Sequence, residues 1–292
     1  MISAIIPTLW VNPEITISLI QSLERSKYID QIILIENKVL EQDLNFSKLE
    51  RHQQEENIYV NPAWNLGVML SKNNKLLIIN DDIHFDENLV KLALPYISPE
   101  NGMIGIKTYE GSPTDKKEIT KINTSLFHRP YYGSLFFIHK DSYNFIPENM
   151  KILCGDLYLY YLSLKQNWII TGFNYNREGS KTTNKEIFNL IELEDIKKWT
   201  VIKDNFFNKQ ILDLSVAYGD IIKLDNFTLD NNNKIIYYRF TGYKYLLFKF
   251  IHKNEELISD IIDAEFCDTY EFKNILDKNE YNLKIFGYTN EN

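Results

Sequence analysis

The sequence predicts an α/β fold: a mostly parallel sheet flanked by helices, followed by a small β-rich C-terminal appendage. Three observations predict it. Short apolar runs alternate with amphipathic stretches through the first half of the chain, and three of those runs end in polar residues. Beyond about residue 205 the texture changes to β-rich segments separated by turn signals. A chain of 292 residues has room for a mid-sized core and an appendage. We expect domains at 1–204 and 205–292.

The elements follow in order. Ile2 to Pro7 is a compact apolar run closed by proline, the pattern of a buried strand. Pro13 to Arg25 carries Ile15, Leu19, Ile20 and Leu23 at helical spacing. Gln31 to Glu36 is a second buried strand. Pro62 to Leu70 reads as a helix with Asn61 as its cap and proline in its first position. Lys75 to Asn80 is a third apolar strand running straight into two aspartates. Strand, helix, strand, helix, strand implies parallel pairing, and right-handed crossovers put ligands at the carboxyl ends of the strands. Pro7-Thr8, Glu36-Asn37 and Asn80-Asp81-Asp82 therefore belong on one rim.

Further along, 121–143 reads as irregular and then strand-like, Asp156 to Gln166 as helix and Trp168 to Phe173 as strand. Lys185 to Asn208 reads as a covering helix and linker. In the tail, Lys234 to Phe240 and Lys244 to His252 read as a hairpin joined by Thr241-Gly242-Tyr243, and Asp230 to Asn233 is a turn signal. Exposed strand edges and aromatics there fit a homo-oligomer interface, an acceptor-binding module or a docking element alike.

Composition narrows the function. A formal net charge of −8 argues against nucleic acid or an anionic membrane as partner. Cys154 and Cys267 are far apart and lack metal-ligand spacing, so two free thiols in a reducing cytoplasm are expected. The opening Met1 to Pro7 has no basic stretch ahead of a long apolar run, so no signal peptide is expected. No run is long enough to span a bilayer. The expectation is a soluble, cytoplasmic protein. A Gly-rich phosphate loop, a G-x-G-x-x-G turn and a G-x-S-x-G elbow are all missing, which counts against kinases, dehydrogenases and serine hydrolases.

Asn80-Asp81-Asp82 is the strongest local signal. Two carboxylates after an apolar strand are costly unless solvated, capping a helix or neutralised by a cation. Mg²⁺ or Mn²⁺ would take carboxylate oxygens and fill its shell with water and phosphate. A helix cap is the other reading, with Asp82 or Asp86 capping the segment from Glu87 to Leu92. Asp156 is likewise either a functional acid or the cap of a Leu/Tyr-rich helix. His128-Arg129-Pro130-Tyr131-Tyr132 can bind sugar hydroxyls or phosphate, or be a surface loop packed by aromatics. Arg177 and Lys181 are candidates to meet phosphate. His84 reads as an exposed strand-end residue, with a metal ligand as the alternative.

Five motifs taken together resemble inverting, family-2-type glycosyltransferases of the GT-A fold. Ile2 to Thr8 is similar to that family's opening strand, and Glu36-Asn37 stands where it has an acidic strand end. Asn65-x-Gly67 is similar to its Asn-x-Gly element, and Leu76 to Phe85 to its DxD-bearing strand and turn. Gly133 to Ile138 with Cys154-Gly155-Asp156-Leu157 resembles its acceptor-side strand and Gly-Asp helix start. The resemblance covers roughly 1–185.

It implies transfer of a sugar from a UDP-, GDP- or dTDP-linked donor to a glycan or glycoconjugate hydroxyl, with inversion. Pro7 and Thr8 would line the base pocket and Glu36 would hold base or ribose. Asn37, Asn65, Asn80 and Asp81 would join the nucleotide-sugar side. Asp82 would ligate Mn²⁺ or Mg²⁺, Asp156 would be the general base, and Arg129, Tyr131 and Tyr132 would meet the acceptor. Two departures stand out: the DxD element reads Asn-Asp-Asp, and Phe173 to Thr183 has no histidine to complete a metal shell. They keep a non-catalytic sugar- or nucleotide-binding module as the alternative. A nucleotidyltransferase is disfavoured because Thr8 to Glu14 has neither glycine nor a basic residue.

Overall fold

The computed structural model describes 1–106, 117–122, 133–162, 165–173, 188, 190–202 and 205, and the backbone of the strands within 222–289. The chain divides into two compact units, one made of 1–122 with 130–202 and the other of 123–129 with 203–292.

The first unit is an α/β layer. In chain order it contains β1 (Ile2–Thr8), α1 (Pro13–Arg25), β2 (Ile29–Glu36), β3 (Leu49–Gln53), α2 (Val60–Leu70), β4 (Lys75–Ile79) and α3 (Glu87–Ala93). These are followed by β5 (Asn101–Ile106), β6 (Glu118–Ile122), β7 (Leu135–His139), α4 (Gly155–Leu162) and β8 (Gln166–Thr171). A further helix, α5, spans 190–202. The eight strands form one sheet in the order β3-β2-β1-β4-β7-β5-β8-β6. The first four are mutually parallel, β5 and β8 pair in parallel, and β7 and β6 run against their neighbours.

The order explains the apolar runs. β1 lies between β2 and β4 and all seven of its residues are buried, as expected of a strand covered on both faces. Ile2, Ala4 and Ile6 pack in one core with Ile32 and Leu34 of β2 and with Leu19, Ile20 and Leu23 of α1. Ile5 faces the other way, against α2. A Cβ placed on Gly67 would come within 2.3 Å of Ile5 Cγ2, so that helix position must be glycine for α2 to lie this close. Trp64 of α2 packs edge-on against Phe136 of β7, with ring centroids 5.3 Å apart. Each fully buried Ile, Leu or Phe contributes about 1.5–3 kcal/mol of transfer free energy.

Several local readings are corrected. α2 begins at Val60 behind Tyr59, so Asn61 lies inside the first turn and is not the cap. α4 ends at Leu162 because Gln166 already pairs with Asn101 as the first residue of β8. β3 (Leu49–Gln53) has no apolar run; it forms at the sheet edge by pairing with β2, where only one neighbour and partial burial are needed. β5 and β6 also lie where no strand was read.

The C-terminal strands are β9 (Ile222–Leu224), β10 (Thr228–Leu229), β11 (Lys234–Ile236), β12 (Tyr243–His252), β13 (Glu255–Asp263), β14 (Thr269–Glu271) and β15 (Tyr281–Thr289). They build a four-stranded sheet, β13-β12-β15-β9, and a three-stranded one, β10-β11-β14. The predicted hairpin is therefore replaced. β11 pairs with β10 and β14, while β12 pairs with β13 and β15 in the other sheet. Both segments are rich enough in β-branched and aromatic residues to be strands, but that composition carries no information about the partner.

Candidate functional site

Three strand ends meet on the rim. Asn37 N donates to Thr8 O at 2.9 Å, tying the end of β2 to the end of β1. The Thr8 hydroxyl donates to Asp81 Oδ2 at 2.6 Å and accepts from Trp10 N at 2.9 Å. Pro7, Thr8, Glu36, Asn37, Asn80, Asp81 and Asp82 are thus neighbours in space, brought together by parallel β1, β2 and β4. Trp10 sits just past β1 with a φ of 55°, a backbone conformation that a bulky side chain seldom adopts without surrounding constraint.

The cap question at Asn80-Asp81-Asp82 has a geometric answer. Asp86 is the N-cap of α3, and its side chain accepts from Asn88 N at 2.9 Å. Asp82 lies four residues earlier and is 3% exposed. Asp81 has its pKa pushed up to about 6, mainly by burial and also by the neighbouring Asp82 carboxylate; the bond from Thr8 opposes that rise. Among the described residues no group of three or more His, Cys, Asp or Glu is placed to hold a metal ion. The protein thus offers two adjacent carboxylates and the amide of Asn80. Such hard oxygen donors fit Mg²⁺ or Mn²⁺ when phosphate and water supply the remaining ligands. His84 is exposed.

Glu36 reaches the rim, but its carboxylate is fully buried and engaged by protein groups. Arg51 Nε donates to Oε2 at 2.9 Å, Arg51 Nη2 to Oε1 at 2.8 Å, and Trp10 Nε1 to Oε1 at 2.7 Å. Arg51 also donates to the carbonyls of Leu40 and Gln42. Glu36 therefore organises the loop after β2 from below. Asn37 Oδ1 likewise accepts from Ile58 N at 2.9 Å.

A second set of residues converges around Asp156, in the first turn of α4. Its Oδ2 accepts from Gly133 N at 3.1 Å, and the next residue, Ser134, accepts from Asn80 N through its carbonyl at 2.9 Å. The dipeptide Gly133-Ser134 thus links Asp156 to the residue that opens the Asn80-Asp81-Asp82 turn. Asn65 of α2 stands under the same region: its Nδ2 donates to Ile146 O at 2.7 Å, while its Oδ1 accepts from Tyr143 Oη and Ile146 N. The predicted Asn65 is therefore a buried strut for 143–146.

Asn61 Nδ2 donates to Leu153 O, and a Cβ on Gly155 would come within 2.1 Å of Asn61 Oδ1. Cys154, just ahead of α4, has a φ of 61°. Asp195 of α5 accepts from three backbone amides of this loop, and no sequence reading singled it out. The available signal was an acid four residues before Trp199 on the inner face of a charged helix. Arg129, Tyr131, Tyr132, Arg177 and Lys181 lie outside the described residues.

No protein-family model matches the chain, and no curated protein matches its sequence. Among solved structures it is similar to the crystal structure of S. aureus TarS 1-349, with a TM-score of 0.47 at 16% identity over 66% of this chain and 64% of that one. The same TarS fragment in complex with UDP-GlcNAc gives a TM-score of 0.47 at 18% identity, over 66% of each chain. The longer S. aureus TarS structure gives 0.46 at 13% identity, over 98% of this chain and 72% of that one. Against the TarS 1-349 structures, the chain spans about two-thirds of their length.

Proposed function

We propose that this chain is a glycosyltransferase that moves a sugar from a nucleoside-diphosphate sugar to a hydroxyl acceptor, with inversion and with Asp156 as general base. The observation that carries the proposal is the Gly133-Ser134 bridge. It brings an acid at a helix start next to an acidic turn at the end of a parallel strand. Displacement at an anomeric carbon needs both a deprotonated nucleophile and a stabilised diphosphate leaving group. The acid at the helix start and the acidic turn together supply residues for both tasks.

In this reading the strand-end residues Thr8, Asn80 and Asp81 face the nucleoside and phosphates, and Asp82 with Asp81 would hold a divalent cation. That cation, when bound, supplies positive charge against the diphosphate. Asp156 accepts the proton of the acceptor hydroxyl. Its bond from Gly133 N fixes one oxygen of the carboxylate. Inversion follows if the hydroxyl attacks from the face opposite the leaving group in a single displacement. Arg129, Tyr131 and Tyr132 are proposed for the acceptor, and Arg177 and Lys181 for phosphate.

The test is a thermal-shift panel of UDP, GDP and dTDP and their hexoses, each with and without Mn²⁺. A ligand that binds only the native state raises the melting temperature. We expect one nucleotide series to raise it, with a larger shift in the presence of Mn²⁺, and hydrolysis or transfer of the matching sugar donor. No shift with any nucleotide under either condition overturns the reading. A shift without turnover in the presence of glycan acceptors favours the non-catalytic binding module, which the incomplete DxD element keeps as the second reading.

A further inference from the structure

We infer that Asp195 is the positioning residue for Asp156, acting through the loop 151–154; the inference rests on the reading of Asp156 as general base. Asp195 is fully buried although it lies on a helix whose neighbours Glu192, Leu193, Glu194, Ile196 and Lys197 are partly or largely exposed. Its Oδ1 accepts from Lys151 N at 2.9 Å, and its Oδ2 accepts from Ile152 N at 2.6 Å and Leu153 N at 3.0 Å. A buried carboxylate is costly unless its charge is met, and three consecutive backbone amides meet it here with charge-assisted bonds. Such a pattern fixes the path of a loop more tightly than side-chain packing alone, because each bond constrains a separate peptide plane.

The constraint has a direction. The clamped residues end one step before Cys154, whose left-handed φ of 61° turns the chain into α4. From the opposite side Asn61 Nδ2 binds Leu153 O, and Asn61 N binds Lys151 O. Lys198 binds Asn149 O, and Trp199, one turn beyond Asp195, stacks on Tyr161 of α4 at 5.7 Å between centroids. Helix α5 therefore holds the loop before Asp156 with its carboxylate and the helix after Asp156 with its indole. Asp156 lies three residues beyond Leu153, the last clamped residue, and its Oδ2 accepts from Gly133 N at 3.1 Å.

The experiment is Asp195→Asn, with amide exchange followed by NMR alongside donor binding and transfer kinetics. Asparagine keeps the shape but presents an amide NH₂ to backbone N–H donors, so at least one clamp bond is lost. We expect faster exchange at Lys151, Ile152 and Leu153 and also at Gly133. The kcat should fall about 100-fold, a loss typical of a misplaced reacting group, with nucleotide affinity unchanged. Unchanged exchange at Gly133 overturns the inference, as does a loss of transfer matched by an equal loss of nucleotide affinity. If Asp195→Asn does not fold, Asp195→Glu keeps the charge and displaces the clamp by one methylene, and the same readouts apply. If the parent transfers no sugar, the base reading fails, while exchange at Gly133 still decides whether Asp195 positions Asp156.

Discussion

The rim at the ends of β1, β2 and β4 and the loop that leads into α4 are built in opposite ways. The rim is assembled by apolar strands in a βαβ order, and its polar residues are placed because the strands beneath them are buried. The loop buries apolar side chains too, Tyr143, Ile146 and Met150 among them, but they form no strand, and its backbone path is set differently. It is hung from buried polar side chains distant in sequence: Asn61 and Asn65 from α2, and Asp195 from α5. A hydrophobic scaffold fixes the course of its strands cooperatively, and with it the positions of the residues at their ends. A loop held by individual hydrogen bonds depends on each one, since a buried group left unsatisfied costs about 1–3 kcal/mol.

Three substitutions test that contrast. The largest effect is expected at the loop side: Asp156→Asn should lower transfer by about 10²–10⁴-fold, the usual worth of a general base and about 3–5 kcal/mol in the barrier. Calorimetric titration should find nucleotide binding at the rim intact. Full activity in this variant would remove the functional distinction between the two regions.

Next in size, Arg51→Met tests whether the rim truly depends on its apolar scaffold alone. Among the described residues it leaves the buried Glu36 carboxylate with Trp10 as its remaining side-chain partner, and breaking a buried pair in this way costs about 3 kcal/mol. Urea unfolding should show that loss. A stability equal to the parent's would mean that the strands carry Glu36 without its ion pair.

The smallest effect depends on pH. Asp81 has a folded-state pKa raised to about 6 from the ordinary 3.8. Its contribution to stability is therefore fully present below the unfolded value and is lost as pH rises through about 6. Asp81→Asn should be more stable than the parent at pH 7.5, and the gap should narrow as pH falls toward 4. A gap that widens on acidification would place the Asp81 carboxylate in an environment that favours its charge.

How much was legible follows from the same contrast. Burial of whole strands leaves contiguous apolar runs, so β1, β2 and β4 and the helix Pro13–Arg25 could be read with their polar ends. β3 could not, because Leu49–Gln53 at an edge needs no apolar face. The residues read at the rim did meet, yet meeting did not assign their bonds. Glu36 and Asn37 are engaged by Arg51, Trp10 and Ile58, and Asn65 supports 143–146. Side-chain chemistry suggests what a residue can bind; only its neighbours decide whether those bonds are already made.

The sequence by itself determined the α/β layer, the parallel order of β1, β2 and β4, and the convergence of Thr8 with Asp81. These depend on periodicity and on crossover handedness, both local properties of the chain. Tertiary structure alone decided that Asp86, not Asp82, caps α3 and that β11 and β12 belong to different sheets. It alone placed Gly133 and Ser134 between Asp156 and Asn80, and Asp195 beneath the loop before α4. Each of these is a pairing between groups far apart in sequence. Such pairings are selected by burial and geometry in the folded state, and an unfolded chain carries no record of them in its spacing.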